Sequence, residues 1–193
     1  MPHTVALIVA NDPGTGFERS KYLEPVRGVP MIERIVAKAA DWPVDEVMVV
    51  LGPDADEIIA TADLGEATIV IDPEWKEGIA ASLRVGIDLL LRGGVTDRIV
   101  LALGDQPGVE GETVAALLES PSAAVVPKYR YRRGFPVVLS SDLWDQLLGL
   151  EGPVDVHDLL ESHPAGVEEV WFDRLEPSRL AEPADFSSPR GRG

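Results

Sequence analysis

The chain has 193 residues, 45% of them hydrophobic, so it can bury a sizeable core unaided, and its length suits one domain over residues 1–186 with a disordered tail over 187–193. It contains no cysteine, which excludes disulfides, thiolate metal sites and Cys nucleophiles and agrees with a cytoplasmic location. Its 17 Lys and Arg against 33 Asp and Glu leave a net charge of −16, a field that repels nucleic acid and anionic membrane, and no apolar run approaches the roughly 20 residues that span a bilayer.

Short apolar runs alternate with longer amphipathic ones. Thr4–Ala10 is β-branched-rich and reads as a strand that is apolar on both faces. A Gly-containing loop follows, and Pro30–Ala40 then shows Pro at a helix start with apolar residues at helical spacing. Glu46–Gly52 predicts a second buried strand, and a helix follows in which Asp54 is the expected cap. Ala67–Asp72 is a third strand. The helix starting at Ile79 puts Leu83, Ile87 and Leu90/Leu91 on the same face as Ile79. Arg98–Gly104 is a fourth strand, and a helix over Glu110–Ser120 follows it. Ser122–Pro127 and Gly134–Ser140 read as strands flanking a basic segment. Helices are expected over 141–150 and 154–163, with a late strand over 167–173. This alternation predicts a mostly parallel, Rossmann-like sheet in a three-layer α/β/α fold, with a short antiparallel excursion at the basic segment.

Ligands of open α/β sheets sit beyond the carboxyl ends of the strands, so the chemistry is sought there. The loop after the first strand carries Gly14 and Gly16, which let backbone N–H groups turn toward an anion, and Lys21, which could neutralise a triphosphate. Taken alone it reads equally as a plain Gly-Pro connection, and neither the Walker nor the dinucleotide spacing is present. Asp105, just after the fourth strand, is a single carboxylate of the kind Mg²⁺ uses together with phosphates and water, and also suits a turn. Ser82 lies near a helix N-terminus, where N–H groups are available to an anion or a base carbonyl. Arg84 reads as a solvated helix position. Lys128, Arg130, Arg132 and Arg133 could bind an anionic second substrate or could line an exposed hairpin.

In order, the Gly loop and Lys21, "GVPMIERI", "DPEWKEGIAASLRVG", "LALGDQPGV" and "VVPKYRYRRGFPVVLSSDLW" resemble the MobA-like nucleotidyltransferase superfamily. Within it, the molybdenum cofactor cytidylyltransferase branch is the most similar. The resemblance runs from about Val5 to Phe186. It implies that a phosphate on an acceptor of molybdopterin type attacks the α-phosphorus of CTP or GTP, with Mg²⁺, releasing pyrophosphate. It implies that Lys21 and Asp105 are catalytic, with Asp105 as the metal ligand. Ala10, Asn11, Gly14, Thr15, Gly16, Arg19, Gly78 and Ser82 would hold the nucleotide. Arg132, Arg133, Gly134 and Phe135 would border the acceptor. The implied partners are the nucleotide and a phosphorylated small molecule, with a molybdoenzyme or accessory protein downstream.

The chain departs from that pattern at four places. Asn11 stands where the family has Gly, and one extra residue precedes Lys21, which puts Arg19 out of register with the signature Arg. Phe135 replaces a His. "RLAEPADF" aligns with the family's D-x-D-T-P-E-D, so Ala181 stands where a second metal aspartate belongs, with Asp173 and Glu182 near but out of register. These departures carry two alternative expectations: a non-catalytic nucleotide- or cofactor-binding carrier of the same fold, or a transferase for another phosphorylated acceptor.

Overall fold

The computed structural model describes residues 2–150, Val156, Leu160 and 167–187. β1 (Thr4–Ala10) is buried along its whole length, as its two-sided apolar pattern requires. It lies between β4 (Glu46–Leu51) and β6 (Arg98–Leu103), parallel to both, and β5 (Thr68–Ile71) extends the sheet parallel to β4. On the other side β9 (Val137–Ser140) runs antiparallel to both β6 and β7 (Ala124–Tyr129), and β10 (Glu168–Phe172) closes the edge parallel to β7. The order is β10-β7-β9-β6-β1-β4-β5, with β8 (Arg132–Arg133) hairpinned onto β7. The expected antiparallel excursion is therefore β8 and β9. A small separate hairpin joins β2 (Pro25–Val26) to β3 (Val29–Pro30).

Alternation along β1 divides the core. Ala6, Ile8 and Ala10 face one cluster with α1 (Met31–Ala40), α2 (Ala55–Thr61) and α4 (Gly111–Leu118). Val5, Leu7 and Val9 face the other with α3 (Ile79–Gly93) and α5 (Trp144–Leu148). This is the three-layer arrangement. In α1, Ile32, Ile35, Val36 and Ala39 are buried at helical spacing, while Glu33 in the first turn and Lys38 in the last complement the helix dipole. Among the described residues no helix is long and apolar enough to cross a membrane.

Several local expectations change. Asp54 holds the N-cap position of α2 but makes no side-chain capping bond. On α3, Leu83, Ile87 and Leu90 are buried, Ile79 is half-buried, and Leu91 is half exposed, because it is turned off the stripe. The segment 141–150 begins as a 3₁₀ turn before α5. Of the helix expected over 154–163 only Val156 and Leu160 are described, and both are buried. Ser187, assigned to the tail, ends a short helix α6 (Pro183–Ser187), and residues 188–193 lie outside the described set.

Register places the carboxyl ends of the central strands together. Ala10 pairs with Leu51 and Val9 with Leu103. Just beyond, the Gly52 N–H donates to Ala10 O (3.0 Å), the Gly104 N–H to Val9 O (2.8 Å) and the Asp72 N–H to Leu51 O (2.8 Å). The loops after β1, β4, β5 and β6 thus start at one edge of the sheet. Approach there is close: a Cβ on Gly52 would lie 2.7 Å from Asn11 Cα. Backbone cannot yield as a flexible side chain can, so Gly52→Ala should cost about 1–3 kcal/mol, the usual penalty of overpacking. Urea denaturation checks this; an unchanged midpoint would contradict the tight packing of Gly52 on Asn11.

Candidate active site

Lys21 opens a short 3₁₀ turn over Lys21–Leu23 and is wholly buried, although it ends in an ammonium. A buried charge persists only when paired. Lys21 Nζ donates to Asp12 Oδ2 (2.8 Å) and to Asp105 Oδ2 (3.1 Å), so the first loop and the loop after β6 are tied through it. Asp12 is shaped by the Gly loop: its Oδ1 accepts the Gly14 N–H (2.9 Å), and Gly14 has φ +71°, which disfavours a side chain. A Cβ there would meet Lys21 Cδ at 2.8 Å. The buried Tyr22 hydroxyl accepts the Asp12 N–H (3.2 Å). Burial, and next the charge of Asp105, push the Tyr22 phenol well above its ordinary pKa, so it remains neutral.

Arg179 completes the cluster. Its Nε lies 3.1 Å from both Asp105 oxygens, its Nη2 donates to Asp105 Oδ2 (2.7 Å), and it stands 3.6 Å from Asp12 Oδ2. Burial acts against the guanidinium charge, but the Asp105 hydrogen bonds outweigh it and hold the Arg179 pKa above its ordinary value. Two cations and two carboxylates therefore balance.

The residues expected to hold the nucleotide fall into two groups around this cluster. Ala10, Asn11, Gly14, Thr15 and Gly16 run directly from β1 along the loop. Gly78 sits at the N-cap of α3 with φ +88°, and its N–H is taken by Trp75 O. Ser82 is fully buried rather than open to an anion: its hydroxyl donates to Asp72 Oδ2 (2.7 Å) and accepts from Asn11 Nδ2 (2.9 Å). Ser82 thus holds Asn11 in place. Arg19 turns back to Leu23 O (2.9 Å) and Glu24 (3.6 Å), so the cation that meets Asp105 beside Lys21 is Arg179. Arg84 is mostly covered, paired with Glu77 (2.8 Å) and bonded to Leu150 O, because α3 packs its start against those segments.

Arg132, Arg133, Gly134 and Phe135 all line a cavity of about 1300 Å³ that also reaches Arg179 and Leu103. Its cations are partnered: Arg132 with Glu176 (2.9 Å), Arg133 with Glu169 (2.6 Å) and Arg130 with Asp173 (2.7 Å). The acidic surplus of the chain neutralises the basic segment, which supports its hairpin reading as much as an anion site.

The residues do not fit Mg²⁺ at Asp105 as they stand. Both Asp105 oxygens are engaged by cations, and the second carboxylate of the cluster, Asp12, is itself paired with Lys21. Asp173 is paired with Arg130, and no cluster of three or more acidic or histidine side chains that could hold a metal occurs among the described residues. Sequence reasoning missed Asp12, Tyr22, Asp72 and Arg179. Asp12 was discoverable, as a carboxylate two residues before a loop glycine, and Arg179 as the residue that stands at the first Asp of the aligned D-x-D-T-P-E-D.

The sequence profile of the MobA-like NTP transferase domain matches residues 6–167. The chain is 29% identical over 153 residues to the nicotine blue oxidoreductase of Paenarthrobacter nicotinovorans, covering 74% of each. It is similar to the crystal structure of Rv0371c from Mycobacterium tuberculosis H37Rv, with a TM-score of 0.86, 26% identity and 96% of each chain covered. It also shares the fold of Mth528, a nucleotidyl transferase of a Methanothermobacter, with a TM-score of 0.80 at 23% identity over 96% of this chain and 94% of the other.

Asp12 provides a pH test of the cluster. Burial, its largest influence, raises its pKa, but the Lys21 hydrogen bond, the Gly14 N–H and the charges of Lys21 and Arg179 together hold it below the ordinary range. A pKa lowered by folding contributes stability above the unfolded value near about 4, and that contribution is lost as pH falls through the folded value. The Tm of the wild type should exceed that of Asp12→Asn at pH 7, and the gap should narrow as pH falls below the unfolded-state value of about 4. A gap independent of pH would show that the Asp12 charge contributes nothing.

Proposed function

The chain belongs to the MobA-like NTP transferase domain family, and from that premise we propose that it transfers CMP or GMP from CTP or GTP to a phosphorylated small acceptor of molybdopterin type. An acceptor phosphate oxygen attacks the α-phosphorus, the bond to the β-phosphate oxygen breaks, and pyrophosphate leaves. Because one relative is named as an oxidoreductase, this reading rests on the charges of the site rather than on the fold.

The observation that carries the proposal is the buried Lys21 ammonium at the carboxyl ends of β1 and β6, under a Gly loop. Such a charge is fixed before substrate arrives and shielded from water, and a phosphate oxygen that displaces one of its carboxylates meets a donor already in position. Asp12 and Asp105 hold it in place, and the Ser82–Asn11 bond stiffens the loop beside it. The adjoining cavity is large enough for a second substrate and is lined by Arg179, which pairs with Asp105. The product would pass to a molybdoenzyme or an accessory protein. The engagement of Arg19 with Leu23 and the loss of a carboxylate at Ala181 favour a second reading, a non-catalytic nucleotide carrier.

Pyrophosphate release is measured with CTP and GTP, with and without a molybdopterin-type acceptor, in Mg²⁺ and in EDTA. Acceptor-dependent release should occur, and Lys21→Met should lower it by about 10²–10³-fold, the cost of losing one charge-stabilising donor. Nucleotide-dependent thermal stabilisation with no release under any condition would select the carrier reading. Neither stabilisation nor release would refute both.

A further inference from the structure

Arg179 is built into its place. The Leu180 N–H donates to Asp105 O (2.9 Å), and Leu180 itself is buried. The neighbouring Gln106, fully buried, donates from Nε2 to Pro177 O (3.0 Å) and Glu176 Oε1 (3.2 Å). These bonds dock residues 176–180 onto the turn after β6, so the guanidinium is delivered to Asp105 by backbone as well as by charge. Lys21 Nζ donates to the same Asp105 Oδ2 (3.1 Å). A divalent cation brought to this carboxylate would meet two fixed positive charges within hydrogen-bond distance of it.

We propose that Arg179 is the resident counter-ion of Asp105 and takes the place of a divalent cation there, so that free divalent cations do not bind Asp105 and the phosphates of a bound nucleotide take hydrogen bonds from Lys21 and Arg179 in competition with Asp12 and Asp105. The second clause rests on the nucleotidyltransferase reading; the first does not. The arrangement disagrees with the metal role that resemblance implied for Asp105.

The test has two arms. In the first, Mn²⁺ is titrated into the nucleotide-free protein and bound ion is read by electron paramagnetic resonance. Wild type should bind none at Asp105. Arg179→Ala should gain a site that half-saturates at a Mn²⁺ concentration at least tenfold below any residual binding of the wild type, Asp105→Asn in that background should remove it, and Arg179→Lys should keep the ion out. Arg179→Gln serves in place of the alanine variant if circular dichroism shows that the latter does not fold. Equal Mn²⁺ binding by wild type and the neutral variant, or a gained site indifferent to Asp105→Asn, overturns the proposal. In the second arm, CTP and GTP binding is measured by calorimetry in EDTA and in Mg²⁺. Affinities within about threefold support the proposal, and a loss of tenfold or more in EDTA overturns its second clause. Failure of both nucleotides to bind under both conditions refutes the transferase reading and leaves the Mn²⁺ result standing.

Discussion

A lysine ammonium with no solvent exposure constrains everything around it. Lys21 can remain charged only because Asp12 and Asp105 reach it from two different loops, and Asp105 in turn is neutralised by Arg179. Removing one partner from such a buried pair typically costs about 3–5 kcal/mol, because the charge left behind stays buried. The cluster therefore couples the Gly loop, the turn after β6 and the segment before α6. None of the three can move far without leaving a charge unpaired.

The sheet makes this coupling possible. Parallel β1, β4, β5 and β6 end at one edge, and their register delivers Asn11, Gly52, Asp72 and Gly104 to it. Small residues permit the approach: a Cβ on Gly52 would crowd Asn11, and one on Gly104 would crowd Tyr22. The C-terminal segment closes over the outside: the Phe17 ring meets Phe186 edge-on at 5.7 Å, and Gly16 lies against Pro183. The loop is thus framed by packing on one side and ion pairs on the other, the kind of rigid support that a charge-stabilising site requires.

The acidic surplus of the chain does not make the site acidic. Glu169, Asp173 and Glu176 engage the arginines of the β7–β8 hairpin, while the four charges around Lys21 cancel. An incoming phosphate therefore meets donors already fixed by carboxylates and competes with those carboxylates for them. This competition sets the electrostatics of the cavity more than the net charge of −16 does.

The layered sheet was legible in the sequence because burial is periodic. A run that is apolar at every position, such as Thr4–Ala10, has one stable solution, a strand covered on both faces, and helical spacing in Met31–Ala40 supplies a cover. The motif "LGDQPG" and the lysine of the first loop marked Asp105 and Lys21 for the same local reason: position after a strand is a property of sequence. What the folded chain alone decided was pairing. Lys21 is 84 residues from Asp105, and Arg179 is 74 from it. Ser82 was read as open to ligand and proves to be a buried link between Asp72 and Asn11; Arg19 was the nearer cation in sequence and turns away. Periodicity says which face of an element is buried, but ion pairing is a matter of distances between elements. Only the closed tertiary structure determines which of 17 cations reaches a buried carboxylate.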